Sequence, residues 1–150
     1  MTRSIALLAV ALLAACSESS APQAAAIDDI HPSELLAQGE ALYTQHCLAC
    51  HMVNGDGVPG MQPALTGWAS NTGSADAMVE LTVRGIGLSA ETMLPPSGDY
   101  SAEMPAFAYL SDTEIAAILS YVRTSWGNNT GLVPPSAVRA ARPSADSFGE

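Results

Sequence analysis

The residues best equipped for chemistry stand together in YTQHCLACHMVNGDG: Cys47, Cys50 and His51. Two cysteines three apart serve a redox dithiol, half of a zinc site, or a point of haem attachment. A structural zinc needs about four ligands. With Cys16 set aside, the chain offers two Cys and only His31, His46 and His51. A thioredoxin-like dithiol belongs between a strand and a helix, whereas the residues before Cys47 have helical spacing. Haem attachment uses all five positions of CLACH. Both thiols add to the vinyl groups, and the adjacent imidazole of His51 becomes an axial iron ligand. The motif therefore reads as the site of one covalent haem c and its iron.

The elements around the motif are helical. PSELLAQGEALYTQH has Pro32 and Ser33 as entry signals, then Leu35, Leu36, Gly39, Leu42, Tyr43 and His46 at helical spacing. Gly39 in mid-helix costs about 1 kcal/mol of propensity, tolerable where another backbone comes close. The approaching element is LSDTEIAAILSYVRTSW. Ser111 and Glu114 form a capping box there, and Ile115, Ile118, Leu119, Val122 and Trp126 form one apolar stripe. Tyr121 is placed to meet Tyr43 at the crossing. A shorter helical run, SADAMVELTVRGIG, lies between them.

Together GEALYTQHCLACH, GDG, PALTG and EMPAFAYLSDTEIAAILSYVRTSWGN resemble a class I cytochrome c over roughly residues 33–129. The last stretch is similar to the cytochrome c domains of bacterial membrane-associated alcohol and sugar dehydrogenases. The resemblance implies an all-α fold, three to five helices wrapped around one covalent haem, with the N- and C-terminal helices crossing. It also implies a second axial ligand. Met52 follows His51 directly and cannot reach the other face of the haem. Met61 and Met78 read as packing residues, which leaves Met93 and Met104. Met104 precedes Pro105, as the axial Met often does in this family, and proline confines the residue before it to extended conformations. Met93, beside the prolines of TMLPPS, is the second candidate.

PALTG resembles the segment whose proline carbonyl accepts a hydrogen bond from the proximal imidazole. This assigns that role to Pro63, with loop rigidity as its alternative, and packing on the haem to Leu65. Gly55 and Gly57 are expected in positive-φ turns. Arg84 is a candidate partner for a haem propionate or a plain surface residue.

With five Arg, no Lys and fifteen Asp plus Glu, the formal charge is −10. That excludes nucleic-acid binding through a basic patch and favours partners with basic docking surfaces. The start, MTRSIALLAVALLAAC, has the layout of a secretory signal, and its apolar run is too short to span a bilayer. LAAC resembles a bacterial lipobox. Residues 1–15 are thus expected to be a lipoprotein signal peptide, with Cys16 carrying the lipid. The alternative is an ordinary signal peptide that contains a Cys. Residues 16–32, rich in Ser, Ala and Pro, read as a flexible tether with a reach of ~20 Å. Residues 33–127 are the haem domain and 128–150 a tail. Within the tail LVPPSAVRAAR is a candidate for folding back, and disorder is expected beyond Arg142.

His plus Met would saturate the iron, which disfavours bond-making catalysis and leaves one-electron exchange. The expected protein is a lipid-anchored electron carrier of the bacterial periplasm, and no residue is assigned a catalytic role. By resemblance its donor is a periplasmic dehydrogenase of quinoprotein or flavoprotein type. Its acceptor is a terminal oxidase or another cytochrome. The competing readings are a peroxidase-like haem enzyme and a gas-binding or sensory haem protein, both of which need an open sixth position.

Overall fold

Five helices organise the described residues of the computed structural model, 30–67, 74–86 and 100–142. In chain order they are α1 (Pro32–His46), α2 (Leu48–His51), α3 (Ala75–Arg84), α4 (Asp112–Thr124) and α5 (Pro135–Ala141). Among the described residues there is no strand, only two isolated bridges. The expected signal peptide, Cys16, nearly all of the tether, Met93 and the chain past Arg142 lie outside the described residues.

Pro32 in the first turn of α1 gives up no bond, because the first N–H groups of a helix have no partner within it. The cap is supplied by His31, whose Nδ1 accepts from the backbone N–H of Ser33 at 3.3 Å. Nothing in the sequence marks His31 for this role. The buried residues of α1 are Leu35, Gly39 and Tyr43, one per turn along a single face. That face meets α4, and the contact between them is the most extensive in the fold. At the crossing, a Cβ on Gly39 would run into the carbonyl of Ala117. Tyr43, Tyr121 and Trp126 form a triad there, with ring centroids 5.1–5.5 Å apart. Trp126 was expected on the stripe of α4, but the helix ends at Thr124. Trp126 lies beyond it at φ 52° and donates its indole N–H to Val53 O at 3.2 Å.

The start of α4 is the capping box read from the sequence. Ser111 Oγ accepts from Glu114 N at 3.3 Å, and Glu114 Oε2 accepts from Ser111 N at 2.8 Å. Ser111→Ala is expected to lower the unfolding free energy by about 1 kcal/mol, measured by chemical denaturation near neutral pH. The Ser111 backbone N–H also holds the Glu114 carboxyl below its ordinary pKa. A depressed carboxylate pKa stabilises the fold above the unfolded value, and that contribution is lost as pH falls through the folded value. The deficit of a Glu114→Gln variant should therefore close in acid.

The packed unit does not stop at Gly127. Val133 and Val138 are fully buried in the same core as Met78, Val79 and Ile115. Arg142 donates to Asp112 at 2.6 Å and to Ala108 O at 2.8 Å, and Arg139 reaches Asp112 at 3.2 Å. Residues 128–142, assigned from the sequence to the tail, are thus part of the body. Val133 just before the proline-started helix and Val138 on it are enough to dock so short an element, because burying each contributes about 1.5 kcal/mol or more.

Candidate haem site

Cys47, Cys50 and His51 occupy and flank the single turn of α2, and the three side chains line one cavity. The cavity has two adjoining lobes. Cys47, His51, Pro63, Ile86, Met104 and Phe107 line both lobes, so they frame one continuous space. The inner lobe is walled by Leu65, Met78, Leu81, Ile118, Leu119 and Val122, almost all apolar.

The imidazole is oriented from behind. His51 Nδ1 donates to the Pro63 carbonyl at 3.1 Å, which fixes the tautomer and leaves Nε2 as the lone-pair nitrogen. Burial lowers the His51 pKa, and the Pro63 carbonyl opposes that only in part, so the ring is held neutral, as metal binding requires. Pro63 itself is placed by the turn between them. Gly57 N donates to His51 O at 3.2 Å, and Leu65 N donates to Gly55 O at 2.7 Å. Gly55 and Gly57 have φ of 70° and 63°, the turns the sequence led one to expect. The buried Asn128 clamps the end of this loop to α4. Its Nδ2 donates to Leu65 O and Val122 O at 3.0 and 2.8 Å, and its Oδ1 accepts from Gly67 N at 2.9 Å.

Burial pushes the Cys47 thiol up to about 11, and the neighbouring Cys50 adds to the rise. Reactive dithiols do the opposite, keeping one thiolate at neutral pH. Among the described residues no group of three or more His, Cys, Asp or Glu side chains converges, so the thiols lack the further ligands of a tetrahedral zinc. Two thiols one turn apart, an imidazole with a free Nε2, a thioether and apolar walls do fit a haem.

Met104 reaches the cavity wall on an extended backbone. Its N–H donates to Ile86 O at 3.0 Å and its carbonyl accepts from Ile86 N at 2.8 Å, an antiparallel bridge to the second residue past α3. Gly85, between α3 and that bridge, has φ 73°, and a Cβ there would stand 2.6 Å from Met104 O. Gly85→Ala is therefore expected to displace Met104. The expected result is a weakened methionine signature in the visible spectrum and a loss of about 2 kcal/mol from strain and overpacking. Pro105 and Phe107 complete the segment, with Phe107 N donating to Thr82 O at 2.9 Å.

Other expectations met different fates. Met78 is buried in the core, and its side chain also walls the inner lobe. Met61, expected to pack, is exposed on its loop. Arg84 pairs with Glu80 at 3.3 Å, is more than half exposed and, among the described residues, is not in the cavity wall. Ile86 and Phe107 were not singled out beforehand. Ile86 follows a helix stop in a stretch without period, and no local signal marks it.

An apolar cavity beside a C-x-x-C-H turn, walled in part by α1 and α4, marks a haem-binding domain. The chain belongs to the cytochrome c family: residues 36–126 match the sequence model for cytochrome c. It has the all-α class I fold and binds covalent c-type haem with iron, and it is an electron carrier of that family. It is 33% identical over 93 residues to cytochrome c-552 of Thermus thermophilus, covering 61% of this chain and 70% of that protein. It is 34% identical over 107 residues to the cytochrome c subunit of alcohol dehydrogenase (quinone) from Gluconobacter oxydans. That match covers 69% of this chain and 22% of the subunit. The cytochrome c subunit of gluconate 2-dehydrogenase from Pantoea cypripedii is 27% identical over 93 residues, with 60% of this chain and 20% of the subunit covered. The chain thus spans only about a fifth of the dehydrogenase subunits it matches.

Proposed function

We propose that the protein is a periplasmic one-electron carrier with His51 and Met104 as axial ligands, held at a membrane by lipid on Cys16. Its donor would be a quinoprotein or flavoprotein dehydrogenase, and its acceptor a terminal oxidase or another cytochrome. The observation that carries the reading is the framing of one cavity by His51 and Met104 together, with Cys47 and Cys50 at its rim. The bound haem supplies reversible one-electron exchange at its iron. Cys47 and Cys50 hold it covalently, Pro63 orients His51, and the Ile86 bridge holds Met104. Leu65, Leu81, Ile118 and Leu119 exclude water from the inner lobe. His51 and Met104 would hold the iron between them and leave no position for a substrate.

The cytochrome subunits named above support the dehydrogenase as donor. The secretory layout of residues 1–15 and the lipobox-like LAAC support the membrane tether. Among the described residues the exposed charge is mainly acidic, because Arg84, Arg139 and Arg142 are already paired with carboxylates. A partner with a basic docking face is favoured.

The test is carbon monoxide added to the reduced holoprotein. An unchanged spectrum is expected, because the sixth position is occupied. Ready binding would replace the carrier by a haem enzyme or a gas-binding module.

A further inference from the structure

Arg123 differs from the other described arginines. Arg84 stands against Glu80, and Arg139 and Arg142 against Asp112, but among the described residues Arg123 meets no carboxylate. It is nevertheless only 6% exposed, in the last turn of α4. Its guanidinium has neutral partners throughout. Nε donates to Gly131 O at 3.1 Å, Nη2 donates to Thr130 O, and Nη1 lies 3.7 Å from the Met78 sulfur. The backbone closes the same clasp, with Thr130 N donating to Arg123 O at 3.1 Å. Burial pulls the guanidinium pKa below its ordinary value, yet arginine stays protonated in proteins.

A full positive charge is thus kept inside a protein of net charge −10. Burying a cation against dipoles alone is costly, and the carbonyl end of α4 offsets only part of that cost. The charge itself calls for a reason, and its surroundings supply one. Met78, in contact with the guanidinium, lines the inner lobe of the haem cavity, as does Val122, the neighbour of Arg123 in α4. One layer of apolar side chains separates the cation from the cavity.

We propose that Arg123 is a built-in electrostatic element that raises the reduction potential of the haem held in this cavity. One electron enters from the donor protein, no proton moves on Arg123, and the charge of the site falls by one unit. A cation behind an apolar wall favours that change and is screened less than one at the surface. The inference rests on the carrier reading above and adds a reason for where its potential lies. Arg123 acts here as a positioning residue for charge and touches no reacting atom.

The experiment is a redox titration of the full-chain holoprotein followed by its visible spectrum, comparing Arg123→Gln with Arg123→Lys. Glutamine keeps a donor and loses the charge, whereas lysine keeps the charge and loses the forked donors. Arg123→Gln is expected to lower the equilibrium constant for reduction threefold or more, about 28 mV at 59 mV per tenfold for one electron. Arg123→Lys should stay near the wild type. Thr130→Asp sets a carboxylate beside the intact guanidinium on a half-exposed loop and should shift the midpoint in the same direction, so it decides the matter if Arg123→Gln fails to fold. Equal shifts for Gln and Lys, or a Thr130→Asp midpoint equal to that of the wild type, would overturn the proposal and leave Arg123 a packing role. A wild-type protein without a reversible one-electron wave would instead sink the carrier reading, before any variant is compared.

Discussion

On the proposed ligation, Met104→Ala is expected to give a folded protein whose iron has lost its second protein ligand. The reduced form should then bind carbon monoxide, and the absorption signature of sulfur ligation should vanish. A thioether favours Fe(II), so its loss lowers the reduction potential. A fall on the order of 0.1 V is expected, a fraction of the roughly 0.8 V over which axial ligands move haem potentials. The fold should survive because the bridge to Ile86 is made by main-chain atoms, which the substitution leaves in place. Shortening a half-buried Met should still cost about 2 kcal/mol in a denaturant titration. The same change at Met93 should leave the spectrum as it was. If Met104→Ala left the sixth-ligand signature unaltered and Met93→Ala removed it, the ligand assignment would pass to Met93.

The second large effect is expected at Gly39, where helix propensity and packing disagree in sign. Alanine in mid-helix should stabilise by about 1 kcal/mol relative to glycine. Here the new Cβ would run into the carbonyl of Ala117 and stand 2.8 Å from the Cβ of Tyr121. Neither is the movable end of a side chain, so α1 and α4 must separate. We expect Gly39→Ala to lower the unfolding free energy of the holoprotein by about 3 kcal/mol. For a domain whose whole stability is about 5–15 kcal/mol, that is a substantial part. Tyr43, which lines the inner lobe and donates to Met52 O at 2.7 Å, would move with the helix. A broadened haem spectrum should therefore accompany the lost stability. A stability change in the opposite direction would show that the crossing yields to a methyl group.

Much of the site was legible in the chain because its logic is local. Two thiols and an imidazole within five residues share one turn whatever the rest of the fold does. The capping box spans four residues for the same reason, and Gly39 announced the crossing because a poor helix former in a helix needs an external cause. Pro63 and Met104 were placed by resemblance, and the structure puts both in the cavity wall. Reasoning that lacked a local cause fared less well. Arg84 was left open between a propionate partner and a plain surface residue, and what the structure adds is its pairing with Glu80 one turn back. Met61 looked like packing by type alone. The boundary at 127 was drawn from proline and serine content, and within the tail LVPPSAVRAAR was named as a candidate for folding back, the stretch in which Val133 and Val138 are buried.

The sequence by itself determined the C-x-x-C-H turn, the capping box of α4 and the close crossing at Gly39. Each follows from residue spacing within a turn or two, where bond geometry and hydrogen-bond reach leave few choices. Only the tertiary structure decided that Ile86 braces Met104, that Asn128 clamps the Leu65 loop to α4, and that Arg123 is buried without a carboxylate beside it. Those contacts join residues that no period relates. They exist because the collapsed chain has to satisfy every buried donor and acceptor, and which groups meet depends on how the helices pack.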